Sequence, residues 1–206
     1  MQINSDFEFL IKLVVIGDSG VGKTNFIFQF TEGKFSRAHV TTVGFDYKSK
    51  IIRLPNKKVI KLHIWDTAGQ ERYMAVNKSL FQKVQGIILM YDLTNRDSFD
   101  HLQNWLNLIK KNVPNKVIML VANKLDLAQE NRIVTKEEGE DIGKKNDMLF
   151  FEGSGATGEN VDEIFTTIAD EIYRKLIDDK NEKGDYENTN IELSKSKIKS
   201  KKNKCC

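Results

Sequence analysis

One glycine-rich segment, GDSGVGKT at residues 17–24, constrains the fold of this chain more than any other feature. It has the spacing Gly-x-x-x-x-Gly-Lys-Ser/Thr, follows the apolar run LIKLVVI, and opens a helix-compatible stretch. Glycines let backbone N–H groups approach phosphate oxygens, and the N-terminus of the next helix adds a favourable dipole. The pattern predicts a nucleoside triphosphate site, with a glycine-rich turn and a solvated lysine as the alternative. The predicted nucleotide-contacting residues here are Asp18, Ser19, Gly20, Val21, Gly22, Lys23, Thr24 and Asn25.

Short apolar runs rich in β-branched residues alternate with helix-compatible segments along the chain. The predicted strands are 9–17, 46–54, 57–66, 86–92, 116–124 and 148–153. The predicted helices are 23–31, 72–83, 97–111, 135–146 and 160–177, with starts at Asp97 and at Thr135, where Glu138 completes a capping box. Alternation of this kind predicts an α/β fold, a mostly parallel sheet with helices on both faces. The turn LPNKK makes the second and third strands a hairpin, which adds one antiparallel edge strand.

The charge is distributed unevenly between the body and the C-terminal end. The net charge is +3, but six of the 32 basic residues follow Ser194 with no acidic residue, which leaves 26 basic against 29 acidic residues before it. Apolar periodicity stops after about Leu176, and the remainder is polar and aromatic-poor. We expect one folded domain over residues 1–177 and a disordered tail over residues 178–206.

Cysteine and hydropathy patterns bound the protein's environment. Cys205 and Cys206 are the only cysteines, so a disulfide or a cysteine-based metal cluster within the folded body is excluded. The N-terminal apolar run is too short for a secretory signal, and no stretch approaches the roughly 20 apolar residues of a membrane span. We therefore expect a soluble protein unless something attaches it to a membrane.

The segment WDTAGQE follows the third predicted strand. Asp66 stands at the strand end, where a carboxylate can hold Mg²⁺. Gly69 can offer its N–H to a γ-phosphate, and Gln70 can orient a water for in-line attack. An Asx turn is the alternative for this segment alone, but its place one hairpin after the glycine-rich loop favours the catalytic interpretation.

The segment NKLD, residues 123–126, follows the fifth predicted strand. The carboxylate of Asp126 can accept two parallel hydrogen bonds from guanine, whereas adenine would present an unpaired acceptor to it. Lys124 can lay its stem along the base, and Asn123 completes the base-contacting set. A capped surface turn is the alternative, but the order of motifs along the chain favours guanine, and so GTP.

The ordered set GDSGVGKT, TTVG, WDTAGQE and NKLD, with the loop after LFFEG, resembles that of the Ras-like small GTPases over residues 8–177. The stretches KLHIWDTAGQERY and GIILMYDLTN and the paired terminal cysteines look like the Rab branch. The resemblance implies the P-loop NTPase fold with a six-stranded sheet. It also implies that Thr42 ligates Mg²⁺ with Thr24 and Asp66, and that Phe35 lies beside the guanine. The loop Ser154, Gly155 and Ala156 would contact the base.

The resemblance further implies a slow GTP/GDP switch with Gln70 and Lys23 as catalytic residues. An exchange factor, a GTPase-activating protein, a GDP-dissociation inhibitor and a prenylation escort are the implied regulators of what would be a monomer. The implied location is the cytoplasmic face of an endomembrane, cycling with the cytosol, in vesicle trafficking.

Three departures from the family pattern concern the base loop and the partner surface. The family usually reads Ser-Ala-Lys where this chain has Ser154, Gly155 and Ala156, so loss of the lysine's packing predicts faster nucleotide exchange. Of three aromatic positions that Rab effectors commonly read, Tyr47 and Trp65 keep two, and Leu80 occupies the third. In the same stretch, Leu80-Phe81-Gln82-Lys83-Val84 replaces the usual Tyr-Tyr-Arg-Gly-Ala.

The residues of the ending KSKIKSKKNKCC are, by themselves, compatible with several interpretations. Adjacent cysteines form only a strained disulfide and make poor metal ligands without a nearby histidine, whereas a solvated charged tail remains open. The Rab resemblance implies that Cys205 and Cys206 are both geranylgeranylated. Two lipid signals anchor stably, and each lysine adds about 1 kcal/mol against an anionic leaflet.

Three other functions compete with the trafficking switch. A metabolic P-loop enzyme, such as a nucleotide kinase, is opposed by Asp126 and Gln70. A nucleotide-bound scaffold without turnover is opposed by Gln70, Thr42 and Asp66. A nucleic-acid-binding protein would suit the basic tail but gives the terminal cysteines no purpose, so we expect no nucleic-acid partner.

Overall fold

The computed structural model describes residues 7–36, 45–67, 78–113 and 115–183. Its strands are β1 (Phe9–Ile16), β2 (Phe45–Arg53), β3 (Val59–Thr67), β4 (Gly86–Asp92), β5 (Val117–Asn123) and β6 (Leu149–Glu152). They form one sheet in the order β2-β3-β1-β4-β5-β6. Only the β2–β3 pair is antiparallel, and the other four pairs are parallel. The predicted sheet, with its antiparallel edge strand, is confirmed.

Helices cover both faces of this sheet. They are α1 (Lys23–Glu32), α2 (Lys78–Lys83), α3 (Arg96–Asp100), α4 (Leu102–Asn112), α5 (Ala128–Asn131), α6 (Lys136–Lys145) and α7 (Val161–Lys183), with a 3-10 turn at Leu125–Leu127. No helix within the described ranges is long and apolar enough to cross a membrane.

Two apolar clusters hold the helices to the sheet. On one face, α1 and α7 pack through Phe26, Phe30 and Phe165, and the rings of Phe30 and Phe165 stack with centroids 4.0 Å apart. On the other face, α4 packs through Trp105 and Leu106. The central strands β1, β4 and β5 therefore carry buried side chains on both faces, as their near-continuous apolar sequences predict, whereas burial alternates along β3.

The hairpin between β2 and β3 closes as its sequence predicts. Lys57 adopts a left-handed conformation with φ 69, and its N–H donates to the carbonyl of Leu54 at 2.9 Å. The resulting register places Tyr47 directly opposite Trp65.

Helix boundaries differ from the sequence predictions at three places. The start predicted at Asp97 is wrong, because Asn95 is the N-cap and its side chain accepts from the Ser98 N–H, so α3 begins at Arg96. The single helix predicted over 97–111 is interrupted at His101, which separates α3 from α4. Helix α7 continues to Lys183, beyond the predicted end at residue 177. The predicted capping box of Thr135 and Glu138 is confirmed.

Candidate nucleotide site

The glycine-rich loop leaves β1 at Gly17 through a contact that admits no side chain. Gly17 has φ 137, and a Cβ built there would lie 2.1 Å from the carbonyl oxygen of Met90 on β4. The loop ends at Gly22, the N-cap of α1, which has φ 95 and no side chain to cover the helix N-terminus. Because the first N–H groups of a helix have no partner within it, the loop and the helix end together form a donor-rich concavity suited to phosphate.

Lys23 lies under this loop and is nearly buried, with 5% of its surface exposed. Its Nζ donates to the backbone carbonyls of Gly17 at 2.9 Å and Asp18 at 2.7 Å. Burial lowers the pKa of the Lys23 ammonium to about 8, against the attraction of the Asp66 and Asp18 carboxylates. A cation so placed, with two carbonyl oxygens holding it, is suited to pair with a phosphate oxygen, which would compensate its lost hydration.

Thr24 and Asp66 meet beside this lysine. The Thr24 hydroxyl donates to Oδ2 of Asp66 at 2.6 Å, although the two residues belong to α1 and β3. Asp66 is 2% exposed at the carboxyl end of β3. A hydroxyl and a carboxylate are the hard oxygen ligands that Mg²⁺ prefers, so this pair fits a magnesium site.

Asn123, at the end of β5, joins two loops of the site. Its Nδ2 donates to the backbone carbonyl of Val21 at 2.8 Å, and its Oδ1 accepts from the N–H of Gly155 at 3.0 Å. Asn123 is 3% exposed, and both bonds are buried. The phosphate-loop candidates and the base-loop candidates are therefore held to each other by one amide side chain.

The loop after β6 positions the carboxylate of Asp126. The buried hydroxyl of Ser154 donates to Oδ1 of Asp126 at 2.5 Å and accepts from the N–H groups of Ala156 and Thr157, both at 3.1 Å. A Cβ on Gly155 would meet Cα and N of Phe26 at 3.0 Å, so the loop lies against the backbone of α1. This close approach is a physical reason for glycine at a position where the family usually has alanine.

Lys124 is held by a residue that the motifs did not reveal. It adopts a left-handed conformation with φ 70, and its Nζ lies 2.6 Å from Oδ2 of Asp92. Asp92 is the last residue of β4 and is 5% exposed. An acid at the end of a buried parallel strand is the sequence signal that could have identified it.

Asp18 has partners on the helices beyond β4. Its Oδ2 lies 2.6 Å from Nδ1 of His101, and its Oδ1 accepts from Nε1 of Trp105 at 2.8 Å. The sequence predicted Asp18 as a nucleotide contact and gave no role to His101 or Trp105. Their separation of more than 80 residues from Asp18 hides the relationship in the sequence.

Four further predicted residues lie on α1, in the segment after it, and on β2 and β3. Asn25 exchanges hydrogen bonds with the backbone of Ser36, which fastens the segment after α1 to that helix. Phe35 is 44% exposed. Tyr47, 40% exposed, and Trp65 face each other across β2 and β3 with ring centroids 5.2 Å apart.

Several predicted residues lie outside the part of the chain that the structure describes. They are Thr42, Gly69, Gln70, Cys205 and Cys206, together with the side chain of Leu80. Ser19 and Gly20 are exposed at the tip of the phosphate loop.

The part of the chain that carries these motifs is similar to known proteins. The model of the Ras family matches residues 12–174. The chain is 39% identical over 178 residues to the Ras-related protein RAB1BV of Beta vulgaris, an alignment that covers 86% of this chain and 82% of the relative. It is 38% identical over 176 residues to the Ras-related protein RABE1e of Arabidopsis thaliana, covering 85% and 80% respectively. The chain therefore belongs to the Ras family of small GTPases, and within it to the Rab branch.

Proposed function

We propose that this GTPase is a regulator of vesicle trafficking. It binds GTP with Mg²⁺, hydrolyses the nucleotide slowly to GDP, and works while anchored to a membrane through its C-terminal cysteines. The observation that carries this proposal is the double hydrogen bond of Asn123, which brings the phosphate loop and the base loop into one site at the carboxyl ends of the strands.

Recognition of the nucleotide is divided between the two loops. The N–H groups from Asp18 to Asn25 and the Lys23 ammonium bind the phosphates, because a partly desolvated cation gains most from an anionic partner. Asp126, oriented by Ser154, accepts hydrogen bonds from the guanine edge. Asn123 and Lys124 hold that loop, and the backbone of Gly155 and Ala156 closes over the base.

Hydrolysis depends on charge stabilisation around the γ-phosphate. Thr24, Asp66 and Thr42 would hold Mg²⁺, and this ion, when bound, would supply positive charge that offsets the charge developing on the phosphate oxygens. Gly69 donates its N–H to the γ-phosphate, and Gln70 orients the attacking water. This proposal gives no arginine of the chain a role in the reaction, and the intrinsic rate of hydrolysis is slow. An activating partner that supplies an arginine raises that rate by a factor of about 10³–10⁵.

The aromatic pair of Tyr47, which is exposed, and Trp65, which is partly buried, supports a partner surface beside the nucleotide site. In the sequence, β2 follows Thr42 and β3 precedes Gln70, and the family resemblance assigns Leu80 to the third position of that surface. Effectors read this surface in the GTP state. An exchange factor and a GTPase-activating protein regulate the cycle.

Membrane attachment is assigned to Cys205 and Cys206. Geranylgeranyl groups on both cysteines, with the six lysines before them, would give two lipid chains and an electrostatic attraction to anionic lipid. A prenylation escort and a GDP-dissociation inhibitor are the corresponding partners. The proposed location is the cytoplasmic face of an endomembrane, with a cytosolic pool.

Nucleotide specificity and turnover are tested together. Labelled GDP bound to the protein should be displaced by GTP and not by an equal concentration of ATP. Single-turnover hydrolysis should be strongly reduced in Gln70→Leu and unchanged in Gln103→Leu, a matched change on the exposed side of α4. Equal turnover in wild type and Gln70→Leu would reject the catalytic assignment, and displacement by ATP would reject the guanine assignment.

Anchoring is tested by the intact mass of the protein isolated from its native cells. The expected mass exceeds that of the polypeptide by two geranylgeranyl groups, and Cys205→Ser with Cys206→Ser should lose this increment and leave the membrane fraction. A native mass without any C-terminal lipid would reject the anchor.

A further inference from the structure

Asp18 makes two different kinds of contact from one residue. Its backbone carbonyl accepts from Nζ of Lys23 at 2.7 Å, and its carboxylate faces α3 and α4. The first contact holds the lysine that the proposed function places on the phosphates. Any movement of Asp18 would therefore change the position of that ammonium group.

The carboxylate is held from two directions. Trp105 donates from Nε1 to Oδ1 at 2.8 Å, and this tryptophan is 3% exposed within the apolar face of α4. His101, at the junction of α3 and α4, places Nδ1 2.6 Å from Oδ2. Trp105 is the fixed partner because its ring is packed in the core, whereas the His101 side chain is 54% exposed and in contact with solvent.

We propose that Asp18, His101 and Trp105 form a clamp that positions the phosphate loop, and that the exposed imidazole makes nucleotide release depend on pH. The inference rests on the proposed nucleotide site and adds positioning residues to it. Neither His101 nor Trp105 contacts nucleotide in this proposal; both act through Asp18.

The charges around His101 set the direction of the pH effect. The carboxylate of Asp18 faces it from the phosphate loop, and Asp97 and Asp100 attract it from α3. Asp100 also pairs with Arg96 at 3.0 Å, and on the loop side the Lys23 ammonium attracts the Asp18 carboxylate. The hydrogen bond to Asp18, followed by the attraction of these carboxylates, raises the pKa of His101 above its ordinary value of 6.5.

A raised pKa means that protonation of the imidazole strengthens its contact with Asp18, and that this contact in turn stabilises the protonated imidazole. The extra hold on Asp18 is fully present below pH 6.5 and is lost as the pH rises through the raised pKa of His101. Nucleotide should therefore leave more slowly at pH 6 than at pH 8. A neutral imidazole can still hydrogen-bond to the carboxylate, so the clamp weakens at high pH and does not disappear.

The test is the release rate of GDP labelled with N-methylanthraniloyl, chased with excess GDP in Mg²⁺ buffer from pH 5.5 to 8.5. Because a phosphate itself titrates near pH 6, each variant is compared with wild type at the same pH. Release from His101→Asn, divided by release from wild type, should be about two- to fivefold larger at pH 6 than at pH 8, the factor expected of one exposed ion pair.

Two further variants separate the clamp from general destabilisation. Asp18→Asn keeps the shape but removes the charge, and it should abolish the same pH-dependent part. Trp105→Phe should raise the release rate at every pH while leaving the pH-dependent part, because His101 remains. The chain has three histidines, and the other two provide the matched controls. His39→Asn and His63→Asn should each keep the wild-type pH profile.

The outcomes distinguish this inference from the function on which it rests. If wild type and His101→Asn release labelled GDP with the same pH profile, the clamp is rejected and the proposed function stands. Loss of the pH-dependent part in His39→Asn or His63→Asn would also overturn the clamp. Wild-type protein that binds no labelled GDP at any pH would overturn the proposed function, and the inference with it.

Discussion

The side-chain oxygen of Asn123 accepts a hydrogen bond from the backbone N–H of Gly155 at 3.0 Å, which joins the end of β5 to the loop after β6. The same amide donates to the carbonyl of Val21. One side chain thus links three separate segments of the site, and its removal should affect folding as well as nucleotide binding.

Asn123→Ala should therefore lower the free energy of unfolding by about 2–4 kcal/mol, because it leaves a buried donor and a buried acceptor unpaired. Urea unfolding, with wild type and variant in the same solvent and nucleotide, measures the change. Asn107→Ala is the matched control on the exposed face of α4 and should change stability by less than about 0.5 kcal/mol. Equal unfolding curves for Asn123→Ala and wild type would contradict the structural role of the amide.

Gly155→Ala restores the residue that the family usually has and should nevertheless destabilise this protein. The added Cβ would lie 3.0 Å from Cα and N of Phe26, and backbone atoms cannot rotate away. We expect a loss of about 1–2 kcal/mol, as for overpacked sites, measured by thermal unfolding. An unchanged or higher melting temperature would show that the loop can move away from α1.

Gly17→Ala tests the exit from β1. The new Cβ would meet the carbonyl oxygen of Met90 at 2.1 Å, at a φ of 137 that side chains rarely adopt. We expect a loss of about 3 kcal/mol or more. Gly33→Ala is the control, because Gly33 also has a positive φ of 64 but open space around it. That variant should lose only about 1 kcal/mol; similar losses in both would contradict a steric cause at Gly17.

Arg132→Ala tests the ion pair beneath the base loop. Arg132 binds Glu152 through two parallel hydrogen bonds of 2.6 and 3.1 Å, and the Glu152 side chain is 9% exposed. Truncation leaves this carboxylate without its partner and should cost about 2–3 kcal/mol in urea unfolding, discounted for the partial exposure of the arginine. Arg132→Lys keeps the charge and should recover part of the loss. No recovery would indicate that packing of the guanidinium, not charge, is what matters.

In Glu138→Gln, the free energy of unfolding should depend less on pH in the acid range than it does in wild type. The carboxylate of Glu138 accepts from Arg96 and from the N–H of Thr135, and these bonds, Arg96 first, hold the pKa of Glu138 below its ordinary 4.5. A lowered pKa contributes stability above pH 4.5 that is lost as the pH falls through the lower value. The stability advantage of wild type over Glu138→Gln should shrink between pH 5 and pH 3 in unfolding experiments. A constant difference over that range would contradict the ion pair as its source.

Local sequence signals predicted the elements of the fold well. Near-continuous apolar runs located most strands of the described sheet, because strands between two helical layers need apolar side chains on both faces. The capping box at Thr135 was also predictable, since both partners lie within one helical turn. The break at His101 was not predicted, because the helical spacing of apolar residues continues from α3 into α4.

The candidate site was predicted as a list of residues and not as an arrangement. The motifs named Lys23, Asp66, Asn123 and Asp126, because each motif is a short local pattern. The partners Asp92, His101 and Trp105 were missed, since they have no motif of their own and lie far from their contacts along the chain.

By itself, the sequence determined the fold class, the family and the residues of the nucleotide motifs, because local spacing of glycines, charges and apolar side chains controls those features. Only the tertiary structure decided that Asn123 joins two loops, that Gly155 must pass close to Phe26, and that Asp18 is held by His101 and Trp105. These contacts depend on the distance between segments brought together by the parallel sheet. Such distances follow from packing of the whole domain and are not encoded in any short stretch of residues.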